Sequence, residues 1–384
     1  MKILYISNCF GIIGSSAAVR NSALVKGLAM NGHSVDVLTI KYPQERMSKF
    51  LLSCSCNNII SIDTGVTDFV QKTAGLQNKI NNSFLRTIKK GLRELIFFPD
   101  IYFRWEHYVD ASKFGQYDLI ISSSDYKSSH FVGLKIKKMF PQIKWIQIWG
   151  DPWSLDSTLS GITHLRAKYK ERYLLGNADK IVYVSELTSK SIKERFPKYR
   201  DKIFYIPRSY YKEIVAERKY PKKKYDIVYT GGLNGDRDVS SFLAQIEQYN
   251  KNHDDAFYVH FYGRYLLSVE EKLSKYDFVE IHCPVDYDVV LDIYSKVDAL
   301  LFVSNSASST QIPGKLFDYF GTNLPIVCVV SGNKDLISML RKYKQCLICE
   351  DDFSTIAEKI KGGRFTVERQ FSPEVVARRV LDIV

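Results

Sequence analysis

The strongest constraint on this chain is an alternation that runs through it twice. Short apolar runs of strand length, "KILYIS" (2–7), "SVDVLTI" (34–40), "YDLIISSS" (117–124), "KWIQIWG" (144–150) and "KIVYVS" (180–185), are separated by longer amphipathic stretches. Apolar runs between helical patterns are the signature of βαβ units and a parallel sheet. Between the first two, "AAVRNSALVKGLAMNG" predicts a helix ending at Gly32. "KIFYIPRSYYKE" closes this half with a strand that stops at Pro207, and the polar, basic segment 212–225 reads as a linker. The alternation then restarts with "YDIVYTGG" (225–232), "FYVHFYG" (257–263), "VEIHC" (279–283), "DALLFVS" (298–304), "PIVCVV" (325–330) and "QCLICE" (345–350). The expected fold class is therefore α/β: two doubly wound, Rossmann-like domains in tandem, residues 1–207 and 226–370, joined by 208–225. A length of 384 residues accommodates two such cores. Open α/β sheets bind ligands beyond the carboxyl ends of their strands, so the site is expected in a cleft between two facing sheets.

The net charge of +12 favours nucleic acid, an anionic membrane surface or a phosphorylated substrate. The basic residues are dispersed and form no nucleic-acid-binding module, so nucleic acid is not an expected partner. No apolar stretch approaches the roughly 18 residues a membrane span requires. "MKILYISNCFGIIG" reads as a buried first strand and not a leader, since Ser7, Asn8 and Cys9 break its apolar run. The seven cysteines lack a spacing framework and read as free thiols in a reducing cytoplasm. No metal site is expected: "DRD" and "DYD" read as chance pairs. His33 reads as a turn residue before the strand 34–40, and His130, His164, His253, His260 and His282 form no spacing-based catalytic cluster. One stretch, "NSFLRTIKKGLRELIFFPDIYFRW" (82–105), sets Leu85, Ile88, Leu92, Leu95 and Ile96 at helical spacing among basic residues and ends in aromatics. It reads either as a core-facing helix with a solvated basic face or as a peripheral contact with an anionic bilayer.

Four loops follow strands and carry groups able to do chemistry. In "SASSTQIPGKLFDYFGTNLPIV", a loop leads into a short helix near Gly314. Pro313 fixes the chain before the first turn, Gly314 permits close approach, and Lys315 adds a cation where the helix dipole already favours an anion. Asp318 lies three residues on, on the same side. The pair is either a surface ion pair or a phosphate-and-ribose grip. "GGLNGDRDVSSF" follows the first strand of the second half and is neither a dinucleotide fingerprint nor a P-loop. Its Arg237 is either a surface turn residue or a fork for a diphosphate. "CFGIIGSSAAVRN" places Gly11 and Gly14 in a tight turn before a helix. In "WIQIWGDPWSLD", Asp151 stands at a strand's carboxyl edge beside Trp149 and Trp153, either as a cap or as a catalytic or acceptor-orienting carboxylate.

Together these stretches resemble the retaining GT-B glycosyltransferases of the GT4-like group (glycosyl transferases group 1), found in capsule, O-antigen and exopolysaccharide synthesis. The resemblance spans essentially the whole chain: "KILYIS…G", "GHSVDVLT", "ADKIVYVSE…LTSKSI", "KIFYIP", "YTGGL", "VDALLFVS", "IPGKLFDYFGTNLPIV" and "FSPEVVARRVLDIV". "IPGKLFDYFGTNLPIV" is its most specific part. It implies that Ser309, Thr310, Gln311, Ile312, Pro313, Gly314 and Lys315 form the donor diphosphate loop, with Asp318 as the ribose-binding acid. Gly14, Gly232 and Arg237 fall on donor-binding positions; Gly11, Trp149 and Trp153 fall on the acceptor side with Asp151. Residues 371–384 are implied to form a helix that packs back on the first domain. The chain departs from the pattern at Thr310, where E-x7-E would place an acid eight residues before Asp318, and at Gly232 and Asp238, where Arg and Lys are frequent. The implied activity is metal-independent transfer of a sugar from a nucleotide-sugar, UDP- favoured and GDP- possible, to a glycan or polyprenyl-diphosphate-linked acceptor. It needs no cofactor and belongs in the cytoplasm, with possible peripheral contact with the membrane. A nucleotide-sugar 2-epimerase of the same fold, or a nucleotide-sugar-binding protein without catalysis, would share the architecture.

Overall fold

A computed structural model describes the chain apart from residues 66–95, 157–158, 160, 218–219, 234–236, 306–311, 331 and 350–351. The backbone divides into two compact units, residues 1–208 with 373–384, and residues 209–372.

The first unit is built on a seven-stranded sheet. Its strands are β1 (Lys2–Ile6), β2 (Ser34–Ile40), β3 (Asn58–Ile62), β4 (Leu119–Ser124), β5 (Lys144–Trp149), β6 (Lys180–Tyr183) and β7 (Ile203–Tyr205). They lie in the order β3-β2-β1-β4-β5-β6-β7, every neighbouring pair parallel. β4 is buried at every position, as expected of a parallel strand covered by helices on both faces. Six of the seven strands coincide with runs singled out from the sequence. β3 was not among them: it is an edge strand with no buried residue, and its three isoleucines form a short run broken by Ser61.

The helix Ser16–Met30 is capped by the Ser15 hydroxyl, which accepts from the Ala18 N–H, and the chain turns away at Gly32. The C-terminal helix Pro373–Leu381 packs directly on it. At the crossing, a Cβ on Gly27 would sit 2.0 Å from the Pro373 carbonyl oxygen and 2.9 Å from the Ala377 Cβ. Asn31 Nδ2 also donates to the Glu374 carbonyl at 2.9 Å. Gly27→Ala should therefore lift the terminal helix and destabilise this unit by about 1–3 kcal/mol, the range for overpacking a close contact. An unchanged urea midpoint would refute that reading of the crossing.

The second unit carries six strands: β8 (Lys224–Thr230), β9 (Ala256–Tyr262), β10 (Val279–His282), β11 (Ala299–Val303), β12 (Ile326–Val329) and β13 (Cys346–Ile348). Their order is β10-β9-β8-β11-β12-β13, again parallel throughout. Tyr225, Ile227, Tyr229, Phe257, Val259 and Phe261 form one apolar face, packed with residues of the helices Ser240–Asn252 and Phe353–Gly362. The segment read as a linker is held to this unit. Ile214 bridges to Thr322 and donates its N–H to the Gly321 carbonyl at 2.8 Å, and Ala216 N donates to Asn323 Oδ1 at 2.8 Å.

Both sheets reverse their strand order once, between β1 and β4 and between β8 and β11. At such a reversal the flanking helices diverge to opposite faces and leave a crevice beyond the strand ends. Each sheet therefore has its crevice at this reversal.

Candidate functional site

In the second unit, two cations converge at the β8/β11 reversal. β8 ends at Thr230, and Gly231 turns the chain at a φ of +106°, a left-handed value that a side chain would strain. Gly263 crosses so close that a Cβ there would lie 2.6 Å from the Gly231 carbonyl oxygen. Beyond this turn, Arg237 donates from Nη1 to the Gly232 carbonyl at 2.8 Å. Its Nη2 donates to Asn305 Oδ1, just past β11, at 2.7 Å. The guanidinium thus ties the ends of the two strands together and stays half-buried.

Lys315 reaches the same place from the first turn of the helix Lys315–Phe320. Its Nζ donates to the Thr230 carbonyl and lies 3.7 Å from the centroid of the Tyr229 ring. Although the residue as a whole keeps some exposure, its Nζ is lodged between the Thr230 carbonyl and the Tyr229 ring. Burial holds its pKa well below the usual lysine value and Arg237 pushes it further down, while Asp318 opposes both. Asp318 is only 9% exposed, and its Oδ1 accepts a hydrogen bond from the Tyr287 hydroxyl at 2.9 Å. That burial is not the setting of a surface ion pair, one of the two readings open from the sequence. Pro313 and Gly314 begin the turn, their carbonyls accepting from Leu316 N and Phe317 N at 3.1 Å each, and Ile312 precedes them. Ser309, Thr310 and Gln311 lie outside the described residues.

In the first unit, the β1/β4 reversal gathers a different set. Arg20, on the helix Ser16–Met30, is 7% exposed and donates from Nη2 to Asp125 Oδ2 at 2.9 Å and Ser123 Oγ at 3.2 Å. Burial lowers its pKa and Asp125 raises it, with a net upward direction. Lys127 is buried, donates to the Asp151 carbonyl at 3.2 Å, and lies 5.3 Å from the Trp149 ring centroid. Asp100 accepts from Ser128 N and Tyr102 N, each at 2.8 Å, and burial raises its pKa against those bonds. Asp151 itself keeps solvent access. Its carboxyl is nonetheless crowded enough that desolvation raises its pKa; Asp125 and Asp156 act the same way, and Lys127 and Arg20 oppose.

The other sequence candidates take varied places. Trp149 is fully buried, with its indole N–H donated to Gln147 Oε1 at 3.0 Å and its ring stacked on Tyr183. Trp153 is 4% exposed and stacks on Phe98 at 5.1 Å. Gly11 is buried, whereas Gly14 is exposed with open space where a Cβ would sit; both have positive φ. Residues 82–95 of the basic amphipathic stretch lie outside the described residues. From its aromatic end, Tyr102 and Trp105 are buried. No helix among the described residues is long and apolar enough to cross a membrane.

Sequence reasoning missed Arg20, Asp100, Asp125 and Lys127. Arg20 did carry a signal: it is a full charge within the apolar "AAVRNSALV". A charge there demands a buried partner.

No protein-family model matches the chain, and no curated protein matches it. Solved structures do. TarM is similar with a TM-score of 0.61 at 10% identity, over 100% of this chain and 98% of its own. The apo form of the lipopolysaccharide outer core galactosyltransferase WaaB gives 0.55 at 15% identity, over 100% and 99%. Anabaena Alr3699/HepE, in complex with UDP and glucose, gives 0.55 at 10% identity, over 100% and 94%. At such identities the likeness is one of fold, and the fold it shows is the two-domain Rossmann-like arrangement called GT-B, that of glycosyltransferases among these neighbours.

Proposed function

We propose that the chain is a glycosyltransferase whose second unit holds a nucleotide-sugar by its diphosphate and ribose, and whose first unit holds the acceptor hydroxyl. The observation that carries this reading is the convergence of two cations at the β8/β11 reversal: Lys315 Nζ sits on the Thr230 carbonyl and over the Tyr229 ring, and Arg237 Nη1 lies 3.4 Å from the Tyr229 hydroxyl. Two cations held close together in a low-dielectric crevice repel each other, and an anion between or beside them removes that repulsion. Cleavage of a glycosyl–phosphate bond builds negative charge on the leaving diphosphate, and preorganised cations stabilise it. Lys315 and Arg237 take the phosphates; Asp318, set by Tyr287, accepts from the ribose hydroxyls. The cations carry the charge of the leaving group, so this scheme includes no metal step.

The finer reading is a retaining, GT4-like enzyme of surface-polysaccharide assembly, supported by the resemblance of "IPGKLFDYFGTNLPIV". UDP is the first base to test because HepE, of the same fold, holds UDP and glucose.

A thermal-shift screen over UDP, GDP, ADP, CMP and dTDP sugars tests the proposal. One class should raise Tm, consistent with about 2.7 kcal/mol of stabilisation at a hundredfold excess over Kd. Arg237→Ala should lose most of that shift. A wild-type protein unmoved by every nucleotide, or an Arg237→Ala protein that shifts as far as the wild type, would remove the basis for the donor site.

A further inference from the structure

The sheet of the second unit carries a polar cluster on the face opposite its apolar core. Along β9, Phe257, Val259 and Phe261 point into that core, while Tyr258, His260 and Tyr262 alternate onto the other face and stay partly exposed. β10 is the edge strand beside it, and its register sets Glu280 opposite His260 and His282 opposite Tyr262. Parallel register places opposing residues on one face, so both histidines and the glutamate share a surface.

Their ligand atoms form a compact triangle. His260 Nδ1 lies 3.2 Å from His282 Nε2, Glu280 Oε2 lies 3.4 Å from the first nitrogen, and it lies 3.5 Å from the second. Bonds of 2.0–2.2 Å arranged tetrahedrally around Zn(II) require ligand–ligand separations of about 3.3–3.5 Å. Two of the three edges fall within that range, and the third, His260 Nδ1 to His282 Nε2, is 0.1 Å short of it. A second shell is also in place: the far nitrogen of His260, Nε2, lies 3.0 Å from Asp226 Oδ1 on β8. A carboxylate on the distal nitrogen fixes the tautomer of a metal-binding imidazole and raises its basicity. Tyr262 stacks on the His282 ring at 4.2 Å and 13°, orienting the second imidazole. Glu280 and Asp226 together carry two negative charges, which a divalent cation balances. The side chains of His260, Glu280 and His282 are 17%, 55% and 30% exposed, so water can reach the fourth coordination position.

We propose that His260, Glu280 and His282 form a tetrahedral zinc site, completed by water and oriented by Asp226, that clamps edge strand β10 to β9. Two imidazoles and a carboxylate also suit an octahedral Fe(II), but edges of 3.2–3.5 Å exceed the roughly 2.8–3.1 Å that octahedral geometry gives at bonds of 2.0–2.2 Å, which favours tetrahedral Zn(II). The site is structural and lies outside the donor-binding groups, so it adds no metal to the transfer step. Spacing could not reveal it: the two histidines are on neighbouring strands and meet only through the β9/β10 register.

The test uses the full-length protein, stripped with chelator and titrated with Co(II), whose visible ligand-field bands report coordination geometry. One equivalent should bind with the intense spectrum of a tetrahedral ion, and Zn(II) should displace it and raise Tm. Glu280 is exposed, so Glu280→Gln removes one ligand charge without touching the core; it and His282→Asn should bind at least tenfold more weakly. Asp226→Asn, which keeps all three ligands, should weaken binding by about 10–100-fold. His253→Asn, elsewhere in the unit, should bind as the wild type does. No saturable binding, a six-coordinate spectrum, or wild-type affinity in His282→Asn would each show the cluster to be a hydrogen-bonded polar ladder and overturn the proposal.

Discussion

Lys315→Met should give a protein that melts at a higher temperature and no longer holds a nucleotide diphosphate. The two effects have one cause. In the free protein the ammonium is desolvated between Tyr229 and the Thr230 carbonyl, with Arg237 adding repulsion. Its pKa is therefore lower folded than unfolded. The sign follows from linkage. Between the lowered folded value and the ordinary lysine value, the unfolded chain binds the extra proton, so stability rises with pH across that window. Below the window the charge opposes folding in full. Methionine keeps the stem and drops the charge, so the penalty disappears; each 1 kcal/mol recovered should raise Tm by roughly 2–4 °C in a domain of this size. The loss of function should be larger. A preorganised cation on a leaving group contributes about 2.7–4 kcal/mol, so kcat/KM should fall by about 10²–10³-fold. Diphosphate binding by the wild type should also be accompanied by proton uptake when the pH lies above the free-protein pKa of Lys315, and should weaken as pH rises through that range. Calorimetry in two buffers of different ionisation enthalpy measures the uptake directly. A Lys315→Met protein that is less stable and binds UDP normally would make Lys315 a structural residue.

How much of this was legible in the chain depends on which physical signal each feature leaves. Parallel strands buried on both faces leave continuous apolar runs, and twelve of the thirteen strands among the described residues were found through them. The edge strand β3 leaves only a short run broken by Ser61, since three of its five residues face water and none is buried. Lys315, Arg237 and Asp318 were readable because each sits in a loop or first helical turn directly after a strand, where open α/β sheets put their ligands. Their convergence was not readable. It depends on β8 and β11 being neighbours, a pairing made by strands some seventy residues apart in a topology that one-dimensional periodicity does not encode. The same limit hid Asp125 and Lys127, which follow β4 and reach Arg20 and Asp151 only once β4 lies between β1 and β5. Trp149 and Trp153 flank a candidate carboxylate in sequence and both are buried, Trp149 against Gln147 and Tyr183 and Trp153 against Phe98.

Asp151→Asn should leave nucleotide-sugar binding intact and reduce turnover by about 10²–10⁴-fold, the span of a positioned acid–base group. The environment of the carboxyl sets this behaviour. Desolvation raises its pKa, Asp125 and Asp156 raise it further, and Lys127 and Arg20 hold it down. A carboxylate shifted upward is a better proton acceptor than an ordinary one. If Asp151 takes or orients the proton of the acceptor hydroxyl, the acidic limb of the kcat–pH profile should lie above the usual carboxylate range and should vanish in Asp151→Asn. Lys127 is the largest charge opposing the shift, and its Nζ is bonded to the Asp151 carbonyl. Lys127→Met should therefore move the limb to still higher pH, a displacement that simple loss of packing would not produce. The pair of variants separates the two readings of Asp151. A loop cap would lower stability in Asp151→Asn and leave the pH profile where it was. A proton-handling group does the reverse, and its limb follows the charge of Lys127.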